Sequence, residues 1–359
     1  MIYSSRRFSP LLLVSVLLFV LSLTSCGQAS TGSNSNMTLK VAQVATGFGF
    51  FPTYVAEQEG FFKAQGLTLD PSPIPMLNSG ARLAQAVEAN SAEVGVGGAT
   101  DVYTISRVDS YIQMIGAVST GLFIDIVVSK RFEQQAHLSA SSSLADKVKA
   151  LVGKKIGISA PNSATDALVT YLFRQQGFDA QTDVTKVNVG AAIGPVLSAL
   201  ASGKVDAAAT GTPGGQEAET QGFGANFISP IRGDDPTLVG QLYVVAYAKQ
   251  QTITAKPNAI RAFIRGLAQA EAFIHQQPAQ TLMLMRKYLA GAIDQKTLDT
   301  AWNATKLAIP ANPQICHQAY EVADQFHLKG GLIAIPLAYK DLVAQDTINQ
   351  ALGLKASAC

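Results

Sequence analysis

Twice along this chain, short runs of β-branched residues alternate with segments of helical periodicity, and this alternation constrains the fold more than any other feature. The first pass reads as a strand at 39–44, a helix at 53–62, a strand at 67–69, a helix at 79–89 with Leu83, Ala86 and Val87 on one face, and a strand at 93–96. A third helix at 99–108 and a strand at 111–118 complete it. An apolar strand at 122–128 follows, then a polar stretch at 133–143 that reads as a surface loop or a short helix. The second pass begins after Gly153, with strands at 155–159, 184–187 and 205–209 separated by helices at 164–176 and 191–201. A strand at 242–248 leads back, and helices at 257–275, 278–289 and 297–307 close the chain, with further helical segments around Ala319 and Val343. Pro257 and Pro278 each stand at a first helical position, where a missing N–H costs nothing.

Strand–helix alternation predicts an α/β fold in which mostly parallel sheets are flanked by helices. The 359 residues exceed one ordinary domain, so two lobes are expected. The segment order makes the first lobe discontinuous, over 38–120 and 241–359 with the C-terminal helices on it, and inserts the second lobe at 121–240. Two crossings between them make a hinge. At 48% hydrophobic and 14% charged, the composition suits a large buried fraction and excludes general disorder. The 27 basic and 25 acidic residues nearly balance, and no Lys/Arg stripe interleaves with aromatics, so nucleic acid is not an expected partner.

The N-terminus has its own signature. Arg6 and Arg7 precede an apolar run from Leu11 to Leu23, and Leu23-Thr24-Ser25-Cys26-Gly27 follows. A basic head, a short apolar core and small residues describe a secretory signal over 1–25. The run is shorter than the roughly 20 residues a spanning helix needs. Leu-Thr-Ser-Cys resembles the lipobox of bacterial lipoproteins, which implies acylation of Cys26 and an extracytoplasmic, lipid-anchored protein. Residues 26–37, rich in Ser, Gly, Asn and Thr, suit a flexible tether. An oxidising compartment would permit a disulfide between Cys316 and Cys359. With geometry unseen, the two read as separate thiols, one buried and one at a frayed tail.

Three segments resemble the substrate-binding proteins of the nitrate/sulfonate/taurine type, grouped with binders of thiamine-pyrimidine precursors. The first is Phe51-Pro52-Thr53-Tyr54-Val55-Ala56 with Gly60-Phe61-Phe62-Lys63 and Gly66-Leu67; the second runs from Ala86-Val87 to Ala92-Glu93-Val94-Gly95-Val96-Gly97-Gly98. The third is Leu151-Val152-Gly153-Lys154-Lys155-Ile156-Gly157 with Ser159, Ser163 and Thr165, answered by Gly203-Lys204-Val205-Asp206-Ala207. The resemblance implies a two-lobed, type II periplasmic-binding-protein-like fold that closes around one ligand and docks on an ABC permease. The family's ligands range from small oxyanions to heteroaromatic rings, and fold does not choose among them.

In open α/β sheets, ligands sit beyond the carboxyl ends of strands. Four loops answer that description. Gly47, Phe48 and Phe50 follow the first strand, where glycines admit a ligand to the backbone and rings offer a stacking face, with Tyr54 on the helix behind. Gly98 and Thr100 open a helix whose free N–H groups favour an anion or a carbonyl, although a diglycine is also a common turn without a ligand. Asn162, Ser163 and Thr165 join strand to helix; Ser163 with Asp166 matches a capping box, which would use up helix donors. Thr210 and Thr212 end the strand after Asp206. Arg82, Arg107 and Arg232 stand at element ends as anion partners, but a solvated surface arginine is the commoner case. Loop aromatics beside neutral hydrogen-bonding groups favour an organic ligand with an apolar or planar body.

Enzyme signatures are missing: no G-x-S-x-G elbow, H-E-x-x-H pair, P-loop or G-x-G-x-x-G after a strand occurs. His137, His275, His317 and His327 are scattered and read as surface or helix-face residues, so no metal or other cofactor is expected. The iron-dependent precursor synthases related by fold carry a Cys-rich motif that this chain lacks. The expectation is a monomeric receptor that captures a small molecule by hinge closure for an ABC importer. The alternatives are a ligand-sensing subunit for a membrane kinase and, more remotely, a periplasmic enzyme on the same fold.

Overall fold

The two β-rich passes become two separate sheets. The computed structural model describes residues 35–108, 111–355 and 359, of which Asn36–Cys359 form one compact unit. The signal-like segment, Cys26 and the tether to residue 34 lie outside the described residues. Among those described, no helix is long and apolar enough to cross a membrane.

The strands in chain order are β1 Thr38–Leu39, β2 Val41–Gln43, β3 Thr68–Leu69, β4 Val94–Gly98, β5 Ile112–Ser119, β6 Ile124–Ser129, β7 Lys155–Ile158, β8 Thr185–Asn188, β9 Ala207–Gly211, β10 Gly224–Ile228 and β11 Val244–Lys249. One sheet has the order β2-β4-β11-β5 and the other β10-β6-β9-β7-β8, while β1 and β3 form a small parallel pair. The sheets are mixed, not mostly parallel as the alternation predicts: β11 runs antiparallel to both β4 and β5, and β6 antiparallel to both β9 and β10. The two crossings account for this. β5 leads into β6 and β10 into β11, and each incoming strand lies between two strands of its new sheet and runs against both. Strand direction leaves no trace in side-chain periodicity, which is why the sequence pattern misses it.

β4 and β5 are buried on both faces almost throughout, as their continuous apolar runs require. The helix Pro257–Gln276 covers the first sheet, burying Ile260, Phe263, Ile264, Leu267 and Ile274 at helical spacing, and Phe263 stacks on Phe62 with centroids 4.9 Å apart. Gly266 makes that stack feasible, because a Cβ there would stand 2.6 Å from the Phe62 ring.

The C-terminal helices do more than cover the first lobe. Gln295–Thr305 packs on the second-lobe helix Gly214–Thr220, where the Thr220 and Thr297 hydroxyls are 2.8 Å apart. His317–Lys329 packs on the second-lobe helix Ala164–Gln175 through Tyr171 and Phe326, and on Ala99–Ile105 of the first lobe through Tyr103 and His327. Cys316 and Cys359 are joined in a disulfide with Cα atoms 4.9 Å apart, not left as separate thiols. The two cysteines are 43 positions apart along the chain, so the bridge pins Cys359 back onto the start of His317–Lys329.

Candidate functional site

The carboxyl ends of β2, β4, β7 and β9 converge on a cavity of about 60 Å³ between the two sheets. Its lining includes Gly47, Phe48, Phe50 and Gly98 from the first lobe and Ser163, Thr165, Thr210 and Thr212 from the second. The lobes touch here: the Phe48 N–H donates to the Thr212 carbonyl at 3.0 Å. Gly47 permits this approach, since a Cβ would lie 3.3 Å from the Thr212 oxygen.

The loop after β2 is fixed from behind. The Tyr288 hydroxyl accepts from the Gly47 N–H and from Gln43 Nε2, both at 3.3 Å, and Phe48 meets Trp302 edge-on with centroids 6.5 Å apart. The second-lobe wall is held by a hydroxyl triad. Thr165 Oγ1 accepts from the Ser159 N–H at 2.8 Å and lies 2.9 Å from the hydroxyls of Ser159 and Ser163. Ser163 Oγ donates to the Ala160 carbonyl at 2.7 Å and accepts from the Asp166 N–H at 3.3 Å. The expected cap is therefore formed, although the Asp166 carboxylate bonds back to the Asn162 N–H rather than to that of Ser163.

Three residues predicted for the site stand elsewhere. Tyr54 packs against Tyr288 with centroids 4.6 Å apart, behind the cavity wall. Asn162 is exposed at φ 59°, a left-handed conformation that Asn tolerates, so its role is to make the turn. Thr100 turns away to His327 Nε2, 2.8 Å distant. His327 Nδ1 faces the Ala323 carbonyl, which can only accept, so Nδ1 carries the proton and Nε2 accepts from Thr100. That imidazole is buried, contrary to the surface reading, and desolvation pushes its pKa down to about 3.

The helix after Gly98 also behaves differently from the anion-favouring reading. The Ala99 N–H is taken by the Tyr243 carbonyl at 2.6 Å, and the first turn carries an acid that the loop pattern does not single out. Asp101 lines the cavity, is 5% exposed, and its Oδ2 has no hydrogen-bond partner. Burial raises its pKa to about 7, against the pull of the Gly98 backbone. Two glycines make room for the carboxylate: a Cβ on Gly80 would lie 2.2 Å from Oδ1 and one on Gly97 2.3 Å from Oδ2. Thr210, on the facing wall, is 2% exposed, and its Oγ1 is likewise without a partner. Gly214 leaves the space for that side chain, since a Cβ there would stand 2.8 Å from Thr210 Oγ1. Tyr243 and Phe123 complete the apolar lining, their ring centroids 6.3 Å apart.

Among the described residues, no arginine, lysine or histidine lines the cavity. Arg82 is exposed, Arg107 borders a separate groove, and Arg232 binds Asp234 and the carbonyls of Asn226 and Phe227. Among the described residues, no group of three or more His, Cys, Asp or Glu is placed to hold a metal.

With this geometry in place, comparison with known proteins is informative. A family model described as NMT1/THI5 like matches residues 48–281. A solved structure from Bordetella bronchiseptica superposes with a TM-score of 0.73 at 22% identity, over 88% of this chain and 97% of that one. The alkanesulfonate-binding protein SsuA from Xanthomonas axonopodis pv. citri, solved bound to MOPS, gives 0.66 at 16% identity over 85% of this chain and 98% of that one. The periplasmic nitrate-binding protein NrtA from Synechocystis gives 0.63 at 10% identity, over 89% and 86% respectively. No curated protein sequence matches. At these identities the superpositions speak for the fold, an α/β architecture of mixed sheets shared with periplasmic binding proteins.

Proposed function

This chain belongs to the NMT1/THI5-like family, and from that premise we propose that it is an extracytoplasmic solute-binding protein that closes around a small molecule and presents it to an ABC importer. The observation that carries the reading is the cavity itself. It is walled by strand-end loops of both sheets and shut by the Phe48–Thr212 backbone hydrogen bond. A site assembled from two lobes couples binding to closure, because only the closed arrangement offers the ligand both sets of contacts. The names of SsuA and NrtA, binders of alkanesulfonate and nitrate, support capture of a small solute without turnover.

Within the same reading, Cys26 carries a lipid anchor, residues 26–37 are its tether, and the protein works as a monomer beside its permease. Residues 38–120 with 241–359, and 121–240, are the two bodies that move. A thermal-shift panel of sulfonates, nitrate, bicarbonate, pyrimidines and amines, followed by small-angle scattering with the best binder, tests the proposal. Binding at about 100 times Kd adds roughly 2.7 kcal/mol of stability. The expected result is a smaller radius of gyration at saturation. An unchanged radius for every stabilising compound would overturn closure as the mechanism.

A further inference from the structure

The cavity has an unusual balance of donors and acceptors. Five of the backbone donors around it are committed within the protein. The Gly47 N–H goes to Tyr288, Phe48 to Thr212, Ala99 to Tyr243, Thr212 to Phe123 and Ser159 to Thr165. The hydroxyls of Ser159, Ser163 and Thr165 satisfy one another and the loop they hold. No cationic side chain lines the space. An oxyanion would meet no countercharge there, so its desolvation would have no ionic partner to offset it.

The acceptor side is the reverse. Asp101 lines the cavity, its carboxylate seated between Gly80 beside Oδ1 and Gly97 beside Oδ2, and its buried Oδ2 has nothing bonded to it. A second buried acid, Asp125, stands behind Thr212 and accepts its hydroxyl at 3.1 Å. Arg232 offsets the charge of Asp125, but no basic group acts on Asp101. The phenols of Tyr243 and Tyr247, both on the β11 side, are the titratable groups that feel the Asp101 charge. Across the cavity, Thr210 Oγ1 offers a second free polar atom from the other lobe. The remaining walls are apolar, from Phe48, Phe50, Phe123 and Val196.

We infer that the solute is a small organic cation, an amine, amidine or guanidine on an apolar body, whose charged N–H group binds the Asp101 carboxylate while the body packs against the phenylalanines. This rests on the solute-binding reading and gives it a chemical class. A cationic ligand supplies the countercharge that the protein withholds, so the buried carboxylate becomes stable only when the site is filled. Thr210 accepts from the same group or from a neighbouring N–H, which ties recognition of the cation to the approach of the second lobe. The cavity's modest size favours a compact ligand over a long polyamine.

Matched probes of one shape and different charge test this on the mature protein. Benzamidine, benzamide and benzoate form one series, and methylguanidinium and nitrate a second. Binding by isothermal calorimetry is expected to favour the cation by at least tenfold over its neutral or anionic counterpart in at least one series. Asp101→Asn, close in shape, is expected to abolish that preference, and Thr210→Val to weaken cation binding several-fold. Stronger binding of benzoate or nitrate than of the cations would overturn the inference and leave solute capture standing. Equal cation preference in Asp101→Asn would also overturn it. If no member of either series binds, the cation assignment fails, and solute capture is decided separately by its own panel. The wild-type series decides the matter even if Asp101→Asn does not fold.

Discussion

The cavity is lined by two groups of polar side chains, a hydroxyl triad on the second-lobe wall and a facing pair, Asp101 and Thr210, and they use their oxygens differently. On the second-lobe wall, Ser159, Ser163 and Thr165 bond to one another and to the backbone, so each hydroxyl has its partner within the loop. Asp101 on the first-lobe wall and Thr210 opposite it keep an oxygen each without a partner, although both are almost fully buried. A buried polar atom left unbonded costs about 1–3 kcal/mol, and more when charged. A satisfied cluster therefore builds the site, whereas the unsatisfied side chains that line it are open to a ligand. Residues of the same chemistry on one wall, Thr165 and Thr210, thus belong to opposite categories.

The sharpest way to break this contrast is through pH. The Asp101 carboxyl titrates near 7 in the folded protein and near 3.8 when unfolded, so the folded state holds the proton more tightly. Its contribution to stability is thus full below about pH 4 and is lost as pH rises towards and through 7, by on the order of 4 kcal/mol at most. Asp101→Asn removes that slope. In urea unfolding at pH 5 and pH 8, the wild type is expected to lose stability relative to the variant at the higher pH. Parallel behaviour of the two proteins would show that the carboxylate is compensated after all.

Thr165→Val tests the other wall. It leaves the Ser159 N–H buried without its acceptor and breaks the triad at its hub, so a loss of about 1–3 kcal/mol is expected by chemical denaturation. Because the triad is architecture, preference among charged ligands is expected to survive in the variant at temperatures where it remains folded. Loss of that preference without loss of stability would contradict the division of roles. The smallest effect belongs to Thr210→Val. Removing a hydroxyl that bonds nothing, with little change of shape, is expected to alter stability by less than about 0.5 kcal/mol or to raise it, while ligand affinity falls. A clear destabilisation would mean that the hydroxyl already has a partner.

Much of this site was legible before any coordinates, because one rule places ligands beyond strand ends and each candidate loop follows a strand. Gly47, Phe48, Phe50, Gly98, Ser163, Thr165, Thr210 and Thr212 follow from that rule, and all of them line one cavity. The failures are instructive in physical terms. Thr100 and Asp101 are adjacent, but each helical residue turns by about 100°, so one reaches His327 and the next reaches the cavity. Periodicity cannot fix that phase for a seven-residue helix buried nearly all round. Asp101 left one readable signal, an acid in the first turn after a diglycine, among apolar neighbours. Tyr243 escaped because it immediately precedes β11, at a crossing whose direction the pattern does not encode. The strand Gly224–Ile228 was missed altogether, a short run between a turn and a proline. The straps formed by Gln295–Thr305 and His317–Lys329 were invisible for another reason: their amphipathic faces announce burial, not the lobe they are buried against.

The most direct test of the central claim is a ¹³C titration of the Asp101 carboxyl carbon, free and saturated with whichever probe cation binds. A midpoint near 7 in the free protein that falls out of the neutral range on binding is the predicted result. A midpoint that does not move when the cation is bound would contradict it, and the unpartnered oxygen would then have no part in recognition.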